Sequence, residues 1–263
     1  MTAASGRPPL VAGNWKMNPR HQVEAVQLAT AVRDATRELP VRTVVCPPFV
    51  FLPAVAEAVG PGSVGPGALG IGAQTMHAAE AGAYTGEVSP PMLAGLAQYV
   101  IIGHSERRRY AHETDDDVAA KVASAVAHGL VPIAAVGETG EERAQGMTVE
   151  VIDRQVRAAI SRLDRIEGSG LVIAYEPVWA IGTGVAATPA DAQDGAARIR
   201  AVLQEVDPQG AGEVPILYGG SCTPANAPQL FALPDVDGAL VGGASLDAEA
   251  FTAIVRAAAE RAA

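Results

Sequence analysis

Eight short apolar runs, spaced a few tens of residues apart, constrain the fold more than any other feature of this sequence. They cover residues 10–12, 43–46, 69–73, 99–102, 131–136, 171–175, 216–218 and 239–241. Uninterrupted apolar runs of this length are typical of strands buried on both faces, as in a parallel sheet. The segments between them carry apolar residues at i, i+3 and i+4 spacing, which predicts amphipathic helices.

Strand and helix patterns alternate along the whole chain without a linker or a break in composition. This alternation predicts one α/β domain, and a closed parallel (β/α)8 TIM barrel fits it best. An open doubly wound sheet is the alternative, but the GxGxxG fingerprint of dinucleotide-binding sheets does not follow the first strand. We expect residues 1–7 to form a flexible N-terminal tail and residues 8–263 to form the single barrel domain.

Composition and charge exclude several classes of protein. The chain is 49% hydrophobic and 18% charged, as in an ordinary globular protein. A net charge of −10 argues against nucleic acid or an anionic membrane as partner. The sequence contains no membrane span and no signal-peptide core. Cys46 and Cys222 form no metal or redox motif, so we expect two reduced thiols in a cytoplasmic protein.

Two helix starts are marked by capping residues. Thr114 precedes three aspartates, and acids in the first turn favour the positive end of the helix dipole. Thr188 precedes Pro189, a residue favoured at the first helical position. The acids at 115–117 lack a second group of ligands, and the five histidines lack metal-binding spacing, so no metal site is predicted.

Polar residues and glycines follow the predicted strands, at the end of a barrel where active sites lie. They are Asn14, Lys16, His104, Ser105, Glu106, Glu176, Ser221, Gly242 and Gly243. Each alone fits a structural role, such as a solvated cation, an ion pair or a tight turn. Together they predict one site with a base, a cation and an anion-binding loop. The stretch "GGASL" is expected to open a short helix whose amides favour a phosphate.

Seven stretches spread along nearly the whole chain resemble the triosephosphate isomerase family. In order, they read "AGNWKMN", "GAYTGEVS", "IIGHSERRR", "GETGEERAQG", "AYEPVWAIGTG", "YGGS" and "DGALVGGASL". The resemblance implies isomerisation of a small phosphorylated sugar, between dihydroxyacetone phosphate and D-glyceraldehyde 3-phosphate, in glycolysis and gluconeogenesis. It implies neither a cofactor nor a metal.

The resemblance also implies a role for each matching residue. Glu176 matches the general base and His104 the neutral imidazole that polarises the substrate carbonyl. Lys16 matches the cation that offsets negative charge, with Asn14 and Glu106 beside it. Gly182, Ser221, Gly242 and Gly243 match the groups that bind the substrate phosphate.

Two further segments match functional loops of the family. A lid over the site would comprise Pro177, Val178, Trp179, Ala180, Ile181, Gly182, Thr183 and Gly184, with hinges at its two ends. The apolar centre of this lid would exclude water from the enediolate intermediate. Thr85 lies in a loop that the family inserts into a partner subunit, which implies a homodimer. The alternative is a surface hairpin on a monomer.

Three positions depart from the family pattern: Ala135 stands where cysteine is usual, Thr75 where Asn or Asp is usual, and Cys222 where valine is usual. We interpret Cys222 as a filler residue. The departures leave open an isomerase of the same mechanism that acts on a four-carbon ketose phosphate, such as L-erythrulose 1-phosphate, with Ala135 making room for the longer substrate. A non-catalytic phosphate-binding barrel is a more remote alternative, because pure binding needs no base.

Overall fold

A computed structural model of the chain describes residues 7–60, 62–182 and 187–261. Eight parallel strands form a closed barrel in which each strand pairs with the next and the eighth pairs with the first. They are β1 (Leu10–Asn14), β2 (Arg42–Cys46), β3 (Leu69–Ala73), β4 (Tyr99–Ile102), β5 (Val131–Val136), β6 (Val172–Tyr175), β7 (Ile216–Tyr218) and β8 (Gly238–Val241). The predicted TIM barrel is confirmed, and the open sheet is excluded.

The described residues form ten α-helices, more than the eight or so that the sequence pattern predicted. They are α1 (Gln22–Thr36), α2 (Leu52–Val59), α3 (Pro90–Leu93), α4 (Ser105–Tyr110), α5 (Asp115–Ala127), α6 (Gly140–Ala144), α7 (Thr148–Ile160), α8 (Pro189–Val206), α9 (Ala227–Phe231) and α10 (Ala248–Arg261). Both predicted caps are confirmed: Thr114 accepts the Asp117 N–H and Thr188 the Asp191 N–H.

The first strand is two residues longer than its apolar run. Gly13 and Asn14 continue the parallel pairing opposite Val45 and Cys46 of β2. Backbone pairing with β2 therefore extends β1 by two residues beyond its apolar run. As a result, Asn14 is the last residue of a strand, and its side chain lies at the carboxyl end of the barrel.

The hydrophobic core has two layers because side chains alternate across each strand. One set, which includes Leu10, Val44 and Ile101, fills the inside of the barrel. Their neighbours along the strands, such as Val11 and Val45, pack between the barrel and the surrounding helices. Burial of each such aliphatic side chain stabilises the fold by about 1.5–3 kcal/mol.

A buried carboxylate lies at the opposite end of the barrel from the predicted site. Asp237, which directly precedes β8, is 0% exposed and pairs with Arg7 at 2.9 Å and with Arg200 and Arg261 at 3.0 Å each. Arg7 is the last residue of the predicted tail, and its ion pair with Asp237 binds the chain to the barrel at this point. Residues 1–6 of that tail lie outside the described residues.

No helix within the described ranges is both long enough and apolar enough to span a membrane.

Candidate active site

The carboxyl ends of the strands open into a cavity with a volume of about 1240 Å³. All nine residues predicted to act on or bind the substrate line it: Asn14, Lys16, His104, Glu106, Glu176, Gly182, Ser221, Gly242 and Gly243. They come from the ends of five strands and from the predicted lid. The barrel therefore brings together residues that are separated by up to 229 positions in the sequence.

Glu176 directly follows β6, and its carboxylate is held by two donors at the cavity wall. Its side chain is 2% exposed. Oε2 accepts the backbone N–H of Ser105 at 2.8 Å, and Oε1 lies 2.9 Å from Nε2 of His104. Burial raises the pKa of Glu176, but His104 and the Ser105 N–H lower it more, so the net pKa lies below that of an ordinary glutamate. The carboxylate is therefore ionised at neutral pH and able to accept a proton.

The contacts of His104 define which ring nitrogen carries its proton. His104 is the N-cap residue of α4, and its Nδ1 accepts the backbone N–H of Glu106 at 3.2 Å. A nitrogen that accepts a hydrogen bond has no proton of its own. In the neutral ring the proton therefore lies on Nε2, where it is donated to Glu176. Because His104 lines the cavity, its Nε2–H is the ring donor available to a substrate carbonyl oxygen.

The pKa of His104 depends on the nearby carboxylate. Burial lowers this pKa, but the charge of Glu176 and its hydrogen bond raise it more, so the net pKa lies above that of free imidazole. The Glu106 N–H opposes protonation of Nδ1, because two donors would then face each other. The two largest effects that raise this pKa come from the Glu176 contact and a smaller one from the charge of Glu106, so burial prevails if the Glu176 carboxylate moves away.

Lys16 is held in an uncommon backbone conformation at the rim of the cavity. Its φ is 53°, in the left-handed region that non-glycine residues seldom adopt. Its N–H donates to Oδ1 of Asn14 at 3.0 Å, and its Nζ lies 2.7 Å from Oε1 of Glu106. Strain of this kind persists only where neighbours hold the backbone, and it is concentrated at functional sites. Asn14 is one such neighbour.

Gln74 is a second neighbour of Lys16 that the sequence analysis missed. Its Nε2 donates to the carbonyl oxygen of Lys16 at 2.8 Å and to that of Cys46 at 2.9 Å. It therefore ties the strained loop after β1 to the end of β2. The available signal was its place directly after β3, since polar residues at that position of a barrel strand face the site.

The anion-binding end of the cavity lies around Gly242 and Gly243, after β8. Residues Gly243–Leu246 form the short helix expected there, as a single turn of 3₁₀ helix. A Cβ placed on Gly243 would meet no described atom within 4 Å, whereas one on Gly242 would lie 3.7 Å from Cε of Lys16. The lysine side chain therefore passes close to Gly242. An anion at these glycines would meet both open backbone and a cation.

The described part of the predicted lid is anchored through Trp179. Residues Val178–Ala180 form a 3₁₀ turn, and Nε1 of Trp179 donates to Oε1 of Glu138 at 2.8 Å. Glu138 is 0% exposed, and the guanidinium of Arg143 lies 4.2 Å from the centre of the indole ring. Gly182 has a φ of 71° and is exposed. Thr183 and Gly184, the far hinge of the predicted lid, lie outside the described residues.

The structure shows where the three residues that depart from the family pattern lie and what they contact. Ala135 is fully buried in β5 and is not among the described residues that line the cavity, so it offers no support for a larger substrate pocket. Cys222 lines the cavity, and burial raises its pKa to about 12, which keeps it a neutral thiol. Oγ1 of Thr75 is buried and has no hydrogen-bond partner among the described residues.

The predicted dimer loop lies apart from this cavity in the single chain. Thr85 is exposed and is not one of the described residues that line the cavity. Tyr84 beside it is 51% exposed, and Met17 and Val50, in the loops after β1 and β2, are 93% and 75% exposed. No group of three or more His, Cys, Asp or Glu side chains within the described ranges is arranged to hold a metal ion.

A buried, ionised carboxylate in contact with an imidazole at the carboxyl ends of barrel strands is typical of a catalytic site. The chain is therefore an enzyme of the (β/α)8-barrel class with acid–base groups at the carboxyl ends of its strands. The family model described as triosephosphate isomerase matches residues 9–258. The chain belongs to the triosephosphate isomerase family, and it is an isomerase.

Three relatives show how similar the chain is to other members of the family. A protein named triosephosphate isomerase from Moorella thermoacetica is 50% identical over 250 residues, which cover 95% of this chain and 98% of the relative. Relatives of the same name from Chloroflexus aurantiacus and Carboxydothermus hydrogenoformans are 49% and 47% identical, and each alignment again covers 95% of this chain and 98% of the relative.

Proposed function

We propose that this chain interconverts dihydroxyacetone phosphate and D-glyceraldehyde 3-phosphate, with Glu176 as the base that moves a proton between neighbouring carbons. The observation that carries the proposal is the buried Glu176 carboxylate, ionised and in contact with Nε2 of His104. The names of the relatives support the choice of substrate.

The contacts of Glu176 suggest how substrate starts the reaction. Both carboxylate oxygens are bound by enzyme donors, so the side chain must leave Ser105 and His104 before it can reach a substrate carbon. Once Glu176 has moved, the two largest effects that raise the pKa of His104 are lost, and burial and the charge of Lys16 lower this pKa against the smaller effect of Glu106. The ring is then neutral, and its Nε2–H can donate to the substrate carbonyl oxygen.

The remaining residues bind the substrate and offset its charge. We assign the phosphate to the backbone around Gly182, Ser221, Gly242 and Gly243, where glycine allows close approach. Lys16 supplies positive charge to the phosphate and to the enediolate, and Asn14 and Glu106 fix its position. Residues Pro177 to Gly184 would act as the lid, with Trp179 as its anchor to Glu138, and would exclude water from the intermediate.

We also propose that the enzyme is a homodimer with Thr85 inserted beside Asn14 and Lys16 of the partner. The exposed apolar side chains of Met17, Val50 and Tyr84 support this assembly, and so does the hydroxyl of Thr75, which is buried without a hydrogen-bond partner in the described part of the chain. Sedimentation equilibrium should give the mass of two chains, and a monomer at micromolar concentration would contradict the proposal.

Two smaller proposals concern location and domain extent. The two unpaired, buried cysteines support a cytoplasmic enzyme. We propose that the single domain runs from residue 8 to residue 263, after an N-terminal tail.

The test of function is a side-by-side kinetic comparison of D-glyceraldehyde 3-phosphate and L-erythrulose 1-phosphate. We expect a much higher kcat/KM for the triose, because Ala135 does not widen the described cavity. A preference for the four-carbon substrate would replace the proposed substrate but keep the mechanism. Glu176→Gln tests the non-catalytic alternative, since it should abolish turnover while the phosphate still binds.

A further inference from the structure

Gln155 is a buried polar side chain on an otherwise apolar helix face. Of the six buried residues of α7, it is the only polar one. It is 5% exposed and lines the cavity. A buried carboxamide is destabilising unless its oxygen and its nitrogen both find partners, so an apolar residue would be the simpler choice for packing alone. What Gln155 binds therefore matters.

The carboxamide of Gln155 binds both backbone groups of Gly137, the residue that directly follows β5. The Gly137 N–H donates to Oε1 of Gln155 at 2.7 Å, and Nε2 of Gln155 donates to the Gly137 carbonyl oxygen at 3.3 Å. Two successive peptide groups at the end of β5 are thus fixed to α7 by a single side chain.

One of these peptide groups connects Gln155 to Glu176. The N–H of Gly137 and the carbonyl of Val136 belong to the same peptide group, and that carbonyl accepts the Glu176 N–H at 2.7 Å. An unbroken chain of hydrogen bonds therefore runs from the Gln155 oxygen through this peptide to the backbone of Glu176. Hydrogen bonds in such a chain polarise and strengthen one another.

Direct packing also joins Gly137 to Glu176. A Cβ placed on Gly137 would lie 1.7 Å from the carbonyl oxygen of Glu176. The two backbones are therefore in close contact, with no room for a side chain between them. A shift of Gly137 away from α7, or a rotation of its peptide, would be passed to the residue that carries the carboxylate.

We propose that Gln155 is a positioning residue for the base, which acts by fixing the peptide group on which the Glu176 backbone rests. The proposal rests on the proposed function, because only a base that must reach a substrate carbon is sensitive to such placement. Gln155 itself touches no reacting atom in this account. A misplacement of about 1 Å in an active site can lower the rate by roughly 100-fold.

The test compares substitutions at Gln155 that keep or remove the oxygen that faces Gly137. Gln155→Met keeps the length of the side chain and removes both hydrogen bonds, and it should lower kcat by about 10- to 100-fold with KM within roughly threefold of the wild type. Gln155→Glu still presents an oxygen to the Gly137 N–H, so its kcat should lie closer to the wild-type value. If the Met variant does not fold, Gln155→Asn is used, because its shorter side chain does not reach Gly137.

A second readout separates positioning from a general loss of structure. With substrate deuterated at the carbon that loses its proton, the isotope effect on kcat should rise in the Met or Asn variant, because proton transfer becomes slower. Val156→Ala, a change at the neighbouring buried residue of α7, is the matched control. It should lower the stability of the fold and leave kcat within about twofold of the wild type.

The outcomes distinguish this proposal from the proposed function. A wild-type chain without isomerase activity overturns both. An active wild type whose kcat is unchanged by Gln155→Met or Gln155→Asn overturns the positioning role alone. The same holds if Val156→Ala lowers kcat as much as these variants do, or if Gln155→Glu is no better than Gln155→Met.

Discussion

Shortening Glu176 by one methylene tests whether the placement of its carboxylate limits the reaction. Glu176→Asp draws the carboxylate back by about 1.5 Å, the length of one C–C bond. A misplacement of about 1 Å can cost roughly 100-fold in rate, so we expect kcat to fall by about 10²- to 10³-fold. KM should change little, because the proposed phosphate-binding groups around Gly242 are untouched.

The pH dependence of this variant gives an independent result. The N–H of Ser105 and the ring of His104 lower the pKa of Glu176 against the opposing effect of burial. The shorter side chain of the variant reaches these donors poorly, so burial should prevail and raise the pKa of its carboxyl group above that of Glu176 in the wild type. The acid limb of kcat/KM should therefore move to higher pH in Glu176→Asp.

Steady-state assays of wild type, Glu176→Asp and Glu176→Gln over a range of pH test both statements. The Gln variant has the wild-type shape but no basicity, so it should be far less active than the Asp variant. A Gln variant as active as the Asp variant would refute the argument, because shape would then matter more than the ability to accept a proton.

Three further predictions follow from individual contacts. Asp237→Asn leaves Arg200 without its buried carboxylate, which should lower the free energy of unfolding by about 3–5 kcal/mol and Tm by on the order of 10 °C; a calorimetric shift of a degree or two would contradict this. Lys16→Ala removes the cation near Gly242, so kcat/KM should fall by more than about 100-fold, and the affinity for inorganic phosphate should fall with it. The pKa of Glu176 is lower in the folded chain than in the unfolded chain, where it is about 4.3. The ionised carboxylate therefore stabilises the fold above that pH, and this stabilisation is lost as the pH falls through the folded pKa. Urea unfolding of the wild type should therefore show stability lost as the pH falls below about 4.3, whereas Glu176→Gln, in which burial lowers the pKa of His104, should lose stability already below about pH 6.5; the same pH profile in both proteins would contradict the assigned shifts.

The barrel was predictable because its strands are buried on both faces. Such strands must be apolar throughout, and short uninterrupted apolar runs are visible without any partner sequence. The end of β1 was missed because Gly13 and Asn14 are held by pairing with β2, which depends on a segment about thirty residues away. The shortest helices, such as α3 and α6, span four and five residues, too few for helical periodicity to be recognised.

The residues that line the cavity were predictable because parallel strands bring their carboxyl ends to one rim. Glu176, His104 and Lys16 each follow an apolar run, and their chemistry is unusual at such positions. Gln74 and Gln155 were missed for a physical reason. A single glutamine in a sequence looks like a solvated residue, and its function is visible only when the fold places it against Lys16 or Gly137.

The most direct test of the account is the isomerisation of D-glyceraldehyde 3-phosphate in D₂O, followed by NMR of the product. If Glu176 transfers the proton, the proton on its carboxyl group can exchange with solvent, and dihydroxyacetone phosphate should carry deuterium at C1. Incorporation and turnover should both be lost in Glu176→Gln. A Glu176→Gln variant that still forms deuterated product at the wild-type rate would contradict the assignment of Glu176 as the base.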